Sequence, residues 1–178
     1  NSSSAPAVTL YTSTDQENWT LWGTTSTSGL IYHLTSSKRK VYFKGVNNRF
    51  SDSSESNHNR FSSTLNIKIG GFITSMLTGT KEPLLDLKGR TNCFKNLFRS
   101  CTSLISISKS LLPSTTLNSS CYENMFQGCT RITSLPENLL PATTLADHCY
   151  LDMFEGCTRI TSLPENLLPA TTLGISCY

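Results

Sequence analysis

Seven cysteines recur in the second half of the chain at a fixed interval, and thiols in such a pattern can bind a metal ion or pair as disulfides. Two series keep a 28-residue step: Cys93, Cys121, Cys149 and Cys177, and Cys101, Cys129 and Cys157. No pair has the close spacing of a zinc knuckle, and no histidine repeats with them. Disulfides between neighbouring copies are an alternative, because a disulfide could just span the distance between equivalent positions of stacked copies. We favour small buried thiols that pack on their own copies, with no metal.

Catalysis requires titratable groups that converge in a pocket, and the sequence gives no sign of such a set. His33, His58 and His148 stand apart, without a nucleophile motif, a phosphate loop or paired carboxylates beside them. We interpret them as ordinary surface or boundary histidines. The sequence therefore predicts no catalytic residue, no cofactor and no enzymatic activity.

Polar and charged residues that recur with the same 28-residue step are the better candidates for binding. They comprise two arginines, two glutamates and four hydroxyl residues: Arg131, Thr133, Ser134, Glu137, Arg159, Thr161, Ser162 and Glu165. In a stack, copies would form two charged stripes along a hydroxyl-rich strip, although like charges about 5 Å apart are mildly destabilising. We predict a binding surface for a protein or glycan partner. The alternative is that recent duplication copied these residues, which then only solvate the face.

These candidate residues belong to a sequence that repeats itself. Residues 121–148 and 149–176 differ at only six positions, residues 93–120 form a more divergent copy, and Cys177 begins a fourth. Phe98, Phe126 and Phe154 keep the same step. A fixed period of this length indicates a stacked array in which each unit buries its apolar face against the next. Phe126 is accordingly a predicted core residue.

Within one unit, the pattern predicts a short helix and a short strand. Ser119, Ser120 and Asp147 are candidate helix N-caps, and residues 121–126 have apolar positions at helical spacing. Gly128 and Gly156 would supply the left-handed residue that ends the turn. Residues 132–135 then favour a strand that Pro136 closes. One strand and one helical turn per unit is the plan of leucine-rich repeats.

The front half of the chain alternates apolar and polar residues, which predicts short strands. The candidate strands cover 8–12, 19–22, 30–34, 41–45 and 61–69, with a hairpin joining the first two, a basic turn at 36–40 and a loop at 47–59. A short helix is expected at 71–77, ended by Gly79. The predicted fold class is α+β, a small antiparallel β domain followed by a short leucine-rich-repeat solenoid. The boundaries are a disordered 1–7, a β domain at 8–70, a capping segment at 71–92 and the repeat array at 93–178.

Composition excludes some partners and favours export. Ser and Thr together make up 50 of the 178 residues, and the net charge is +3. So small and evenly spread a charge does not favour nucleic acid. No apolar run approaches the ~20 residues of a transmembrane helix, and residues 1–7 lack the apolar stretch of a signal peptide. The hydroxyl-rich, charge-poor balance suits an exported, strand-dominated protein.

The repeated motif resembles a known family. Met-Phe-x-Gly-Cys-Thr-x-Ile-Thr-Ser-Leu-Pro, followed by Leu-Pro-Ala-Thr-Thr-Leu and Cys-Tyr, is similar to the leucine-rich repeats of BspA-like surface proteins of Bacteroides-type bacteria. The front half also resembles leaders of such arrays. The resemblance implies export to the cell surface, often as a lipoprotein, and adhesion or binding of host proteins rather than catalysis. This chain departs from the family in having no lipid-attachment cysteine near its first residues.

Together these observations predict a non-enzymatic cell-surface adhesion protein that binds a host protein or extracellular-matrix partner through the repeat face. A membrane contact is expected only through a lipid anchor outside this chain, and self-association through the C-terminal end of the array is a further prediction. One alternative is a carbohydrate-binding module in the β domain, using Trp19 or Trp22, although their spacing places them on opposite faces of a strand. The other is a structural protein of the cell envelope.

Overall fold

The computed structural model describes residues 5–25, 30–33, 39–51 and 58–178. Parts of several predicted segments lie outside these ranges: the first four residues of the N-terminal segment, Leu34 of the third candidate strand, residues 36–38 of the basic turn and residues 52–57 of the loop.

The first part of the chain forms a three-stranded antiparallel sheet. Strands β1 (Thr9–Ser13), β2 (Thr20–Thr24) and β3 (Tyr42–Lys44) lie in the order β2-β1-β3. The predicted hairpin is present, and the Asp15 carboxylate organises its turn by accepting from the backbone amides of Glu17 and Asn18, both at 2.8 Å. These and other hydrogen bonds, the largest from the Asn18 side chain, hold the pKa of Asp15 well below its usual range.

The strand predicted at 30–34 is absent from its described part, residues 30–33. Both edges of β1 are already paired, one with β2 and the other with β3. The segment instead contributes the Tyr32 ring, which packs edge-on against Trp22 with centroids 6.0 Å apart. Its apolar residues therefore serve side-chain packing rather than backbone pairing.

A second, two-stranded sheet joins the front half of the chain to the repeats. Strand β4 (Ile67–Ile69) is shorter than the predicted 61–69, and it pairs in parallel with β5 (Leu104–Ile107) of the first repeat unit. The short helix predicted nearby is α1 (Ser75–Thr78), and Gly79 follows it with a left-handed φ of 73°. The front half therefore contributes a strand directly to the repeat region.

The repeats stack as coils linked by an alternating pattern of hydrogen bonds. We call 93–120, 121–148 and 149–176 the first, second and third units, and 93–100, 121–128 and 149–156 their turn segments. In the second unit, the amides of Tyr122, Asn124, Phe126 and Gly128 donate to carbonyls of the third unit at 2.7 to 3.0 Å. Between them, the amides of Met125 and Gln127 donate to carbonyls three residues back in their own segment. Every second amide thus links one coil to the next.

The predicted α+β class is wrong, and so is the predicted leucine-rich-repeat solenoid with one short helix and one short strand in each unit, because the described residues form mostly strands and loops. The α-helix in the described part of the chain is the four-residue α1, which precedes the repeats. The turn segments form no α-helix, because every fourth residue has a positive φ, as in Ser120 at 55°, Asn124 at 54° and Gly128 at 72°. Ser119, Ser120 and Asp147 therefore cap no helix. Residues 132–135 form no strand either; the strand at this place in a unit is β5 of the first.

Two columns of stacked rings form the core through the coils. The first ring column contains Phe50, Phe94, Tyr122, Tyr150 and Tyr178, with successive centroids 5.7 to 6.1 Å apart. The second contains Phe61, Phe98, Phe126 and Phe154, at 5.6 to 5.7 Å. Phe126 is fully buried, as expected. Phe50 and Phe61 precede the repeats, so side-chain stacking crosses the domain boundaries predicted from sequence, which stay a prediction.

The seven cysteines are free, and all are buried between the coils. Several thiols donate to backbone carbonyls of the preceding unit: Cys129 Sγ lies 3.1 Å from the Phe98 carbonyl oxygen, and Cys157 Sγ lies 3.2 Å from that of Phe126. The thiols therefore fill the core and satisfy carbonyls in it, which are the roles of small buried side chains.

Candidate functional site

The eight residues predicted to bind a partner are all exposed. In the second unit they surround two side chains that turn inward, Ile132, which is fully buried, and Leu135, which is 7% exposed. Thr133 and Ser134 lie between these two anchors and face solvent. We call the eight residues the repeat face. The third unit presents the same residue types one coil further along.

Arg131 is held by the front half of the chain. Its Nη1 donates to the Oδ1 of Asn66, just before β4, at 2.5 Å. Asn66 lies outside the repeat units. The contact therefore orients Arg131 through a residue that the 28-residue period does not reveal.

The other charges of the repeat face point to solvent without a partner. Among the described residues, Arg159, Glu137 and Glu165 form no ion pair and no side-chain hydrogen bond. Their charges are therefore available to groups on another molecule. Water also solvates such charges well, so exposure alone does not make this face a site.

Three pairs of threonines form a second regular surface, which the sequence-based choice of site residues did not include. The paired residues are all exposed: Thr115 and Thr116, Thr143 and Thr144, and Thr171 and Thr172. Thr116, Thr144 and Thr172 pair in parallel from coil to coil, and a shallow cavity of about 420 Å³ lies between the first two pairs. The Thr-Thr-Leu sequence near the end of each unit was the available signal.

The tryptophans do not form an open platform for a sugar ring. The Lys44 Nζ lies 4.4 Å from the centroid of the Trp19 ring and covers that face. Trp22 is half-buried and packs on Phe43, with ring centroids 5.3 Å apart. Because β3 presents Phe43 and Lys44 to opposite faces of the sheet, the two tryptophans also lie on opposite faces.

The thiols and histidines form no reactive cluster in the part of the chain that the structure describes, where no three cysteine, histidine or acidic side chains converge as a metal site would need. Burial raises the pKa of Cys129 and of Cys149 to about 12, so both thiols stay protonated near neutral pH. A protonated, buried thiol is a poor nucleophile and a poor metal ligand.

Searches of family models, curated proteins and solved structures find no match to this chain. The likeness to BspA-like proteins therefore rests on the motif alone and stays a prediction. Among the described residues, no helix is both long and apolar enough to cross a lipid bilayer.

Proposed function

We propose that the protein is a non-enzymatic binding protein that recognises a host protein or extracellular-matrix partner through the repeat face. The observation that carries the proposal is the pair of charged columns on stacked coils. Arg131 and Arg159 repeat on one side of the exposed hydroxyls, and Glu137 and Glu165 repeat on the other.

Such a surface suits a partner that offers opposite charges in two rows. Each exposed pair contributes only about 0–1 kcal/mol, so recognition requires several contacts made together. Two similar units displayed side by side supply those contacts without a pocket. The hydroxyls of Thr133, Ser134, Thr161 and Ser162 add donors and acceptors between the charged columns.

We further propose that the protein acts outside the cell, at the bacterial surface. This part of the proposal rests on the hydroxyl-rich composition and on the motif's resemblance to repeats of exported surface proteins.

The test is binding to a panel of purified extracellular-matrix proteins by biolayer interferometry, with the wild type and a variant that reverses the four charges (R131E, R159E, E137K and E165K). We expect the wild type to bind at least one matrix protein and the variant to lose about tenfold or more in affinity. The matched control reverses four exposed charges elsewhere: E17K, K81E, E82K and K88E. The control should bind like the wild type.

An equal loss of affinity in the charge-reversal variant and in the control would indicate nonspecific electrostatic attraction and contradict the proposal. If both variants kept the affinity of the wild type, the binding site would lie outside the repeat face. A glycan array measured in parallel examines the carbohydrate alternative, which requires a binding surface other than the covered Trp19 ring. If the wild type bound neither panel, the structural role in the envelope would replace the proposal.

A further inference from the structure

Backbone hydrogen bonds hold the threonine pairs to the coil before them at two places. The amides of Thr115 and Thr116 both donate to the Leu85 carbonyl, at 2.9 and 3.1 Å. The two threonine amides of the third unit donate in the same way to the Thr143 carbonyl, at 2.9 and 3.2 Å. Paired amides are therefore the ordinary state of this surface.

The junction between the first and second units lacks these bonds. Thr116 and Thr144 keep the parallel register there, but the amides of Thr143 and Thr144 reach hydrogen-bonding geometry with no group in the described part of the chain. The Leu117 amide is also unpaired, although its counterpart in the second unit donates to the coil that follows it. The carbonyls of Thr115 and Thr144 are consequently left without a donor.

These unpaired groups belong to residues that line the cavity of about 420 Å³ between the first two threonine pairs. We call this cavity the threonine cleft, and its lining consists of Thr115, Thr116, Leu117, Thr143, Thr144, Leu145 and Ala146. No side chain in that lining is charged. The volume lies within the range of about 300–1,000 Å³ that is usual for small-molecule sites. Backbone groups left open beside a cavity need partners from water or from a ligand.

The chemistry of the threonine cleft suits a neutral ligand that both donates and accepts hydrogen bonds. Its open amides are fixed donors and its open carbonyls are fixed acceptors, while the threonine hydroxyls can act as either. Leu117 and Leu145, which are 8% and 3% exposed, add apolar surface beside these groups. A charged ligand would lose hydration there without meeting an opposite charge. A sugar ring combines hydroxyls of both capacities with apolar C–H faces and no charge.

We propose that the threonine cleft binds a neutral mono- or disaccharide. Hydroxyls of the sugar accept from the amides of Thr143 and Thr144 and donate to the Thr115 carbonyl, and a C–H face of the ring lies toward Leu117 and Leu145. Water competes for the same groups, so the dissociation constant is expected near about 1 mM. The threonine cleft shares no residue with the repeat face, so this inference stands independently of the function proposed above.

The test is two-dimensional NMR of the backbone amides in the isotope-labelled protein, titrated with glucose, galactose, N-acetylglucosamine, lactose and glucuronic acid. We expect the amide signals of Leu117, Thr143 and Thr144 to shift saturably with at least one neutral sugar. The signals of Thr171 and Thr172, whose amides are already bonded, should stay in place. Glucuronic acid should bind more weakly than the neutral sugars, because the lining offers its carboxylate no cation.

The variant T116V/T144V removes two hydroxyls from the threonine cleft and keeps the β-branched shape of both side chains. We expect it to weaken sugar binding about fivefold or more, because two hydrogen-bonding groups are lost. The matched control T102V/T130V makes the same change at two exposed threonines of the same two units and should bind like the wild type. Circular dichroism confirms that each variant is folded.

Four results would overturn the proposal. They are no saturable shift with any neutral sugar up to about 50 mM, which would leave water as the occupant; shifts confined to residues outside the threonine cleft; equal affinity for glucuronic acid; and equal binding by T116V/T144V and T102V/T130V. Amide hydrogen exchange tests the open junction separately. The amides of Thr143 and Thr144 should exchange about tenfold or more faster than those of Thr115 and Thr116, and equal protection would remove the basis of the proposal.

Discussion

At the scale of single residues, the cysteines show how a reactive side chain becomes a packing element. Each is free and buried at one of two fixed places in the 28-residue register. The thiol also offers a weak donor, which Cys129 uses toward the Phe98 carbonyl. The 28-residue spacing of the cysteines predicted that they are buried. The individual acceptors depend on the path of the preceding coil and could not be read from it.

Burial of the thiols predicts that stability falls at alkaline pH. The pKa of Cys129 and of Cys149 is raised from 9.0 to about 12 in the folded chain. The unfolded chain loses these protons near pH 9, so the stabilisation is complete below that pH and is lost as the pH rises through about 12. Urea unfolding at several pH values between about 7 and 10.5 should show a falling midpoint above pH 9.

The C129A/C149A variant isolates the contribution of these two thiols. It should be less stable than the wild type at neutral pH, because it leaves small cavities. Its midpoint should nevertheless fall less steeply above pH 9. Parallel pH profiles for the two proteins would assign the alkaline loss to other groups, such as the buried phenols of Tyr122 and Tyr150, whose pKa values burial also raises.

At the scale of elements, the turn segments explain where the sequence-based fold failed. Their apolar residues have helical spacing, and that pattern predicts a helix. The competing pattern is a residue with positive φ at every fourth place, as in Asn92 just before the first unit and Asn96 and Ser100 within it. Only Gly128 and Gly156 were recognised as left-handed from the sequence. The same restriction applies at Asn124 and Asp152, where side-chain identity gives a weaker signal.

The strand predicted at residues 132–135 is absent for another reason. The residue types there, followed by Pro136, favour a short strand, yet a strand also needs a backbone partner. In the first unit, Leu104–Ile107 has one because β4 lies beside it. The presence of that partner depends on how the front half of the chain folds, and no periodic pattern reports it. The exposure of Thr133 and Ser134, by contrast, fits their position between the inward-facing Ile132 and Leu135.

The left-handed positions predict a graded response at Gly128, whose φ is 72°. Gly128→Ala should lower the free energy of unfolding by about 1–2 kcal/mol, because a Cβ disfavours this conformation. Gly128→Asn should cost less, since Asn tolerates positive φ better than other residues with a side chain. Urea unfolding of the two variants provides the measurement. If Asn cost as much as Ala or more, crowding by Ser100, whose Oγ would lie 3.4 Å from the new Cβ, would be the cause instead.

At the scale of the whole molecule, the ring columns connect the front sheet to the last coil. Phe43 of β3 packs against Phe61, with centroids 5.4 Å apart, and Phe61 begins the second ring column. Packing is therefore continuous from the three-stranded sheet to Phe154. Sequence reasoning placed a β region before the repeats, but it could not foresee that Phe50 and Phe61 would begin the columns, because neither belongs to the 28-residue register.

The buried ion pair of Lys95 and Glu123 interrupts this otherwise repetitive core. Lys95 Nζ lies 2.8 Å from Glu123 Oε1, and the two side chains are 6% and 10% exposed. Lys95→Met should cost about 3–5 kcal/mol, because it leaves Glu123 buried without its cation. The double variant K95M/E123L should recover most of that loss, since Leu already occupies the equivalent place in the third unit, at Leu151. Equilibrium unfolding measures both, and additive losses would contradict this account.

The Lys95–Glu123 pair also affects which unit packs on which when the chain folds. The second and third units are so alike that the third could take the second's place on the first, leaving 28 residues looped out. In that misfolded arrangement Lys95 would face Leu151 instead of Glu123, so the 2.8 Å ion pair between Lys95 and Glu123 would not form. Lys95 and Glu123 thereby distinguish the junction between the first and second units from the junction between the second and third. A gene that gained or lost a unit by recombination would keep correct assembly only if the Lys95–Glu123 junction survived.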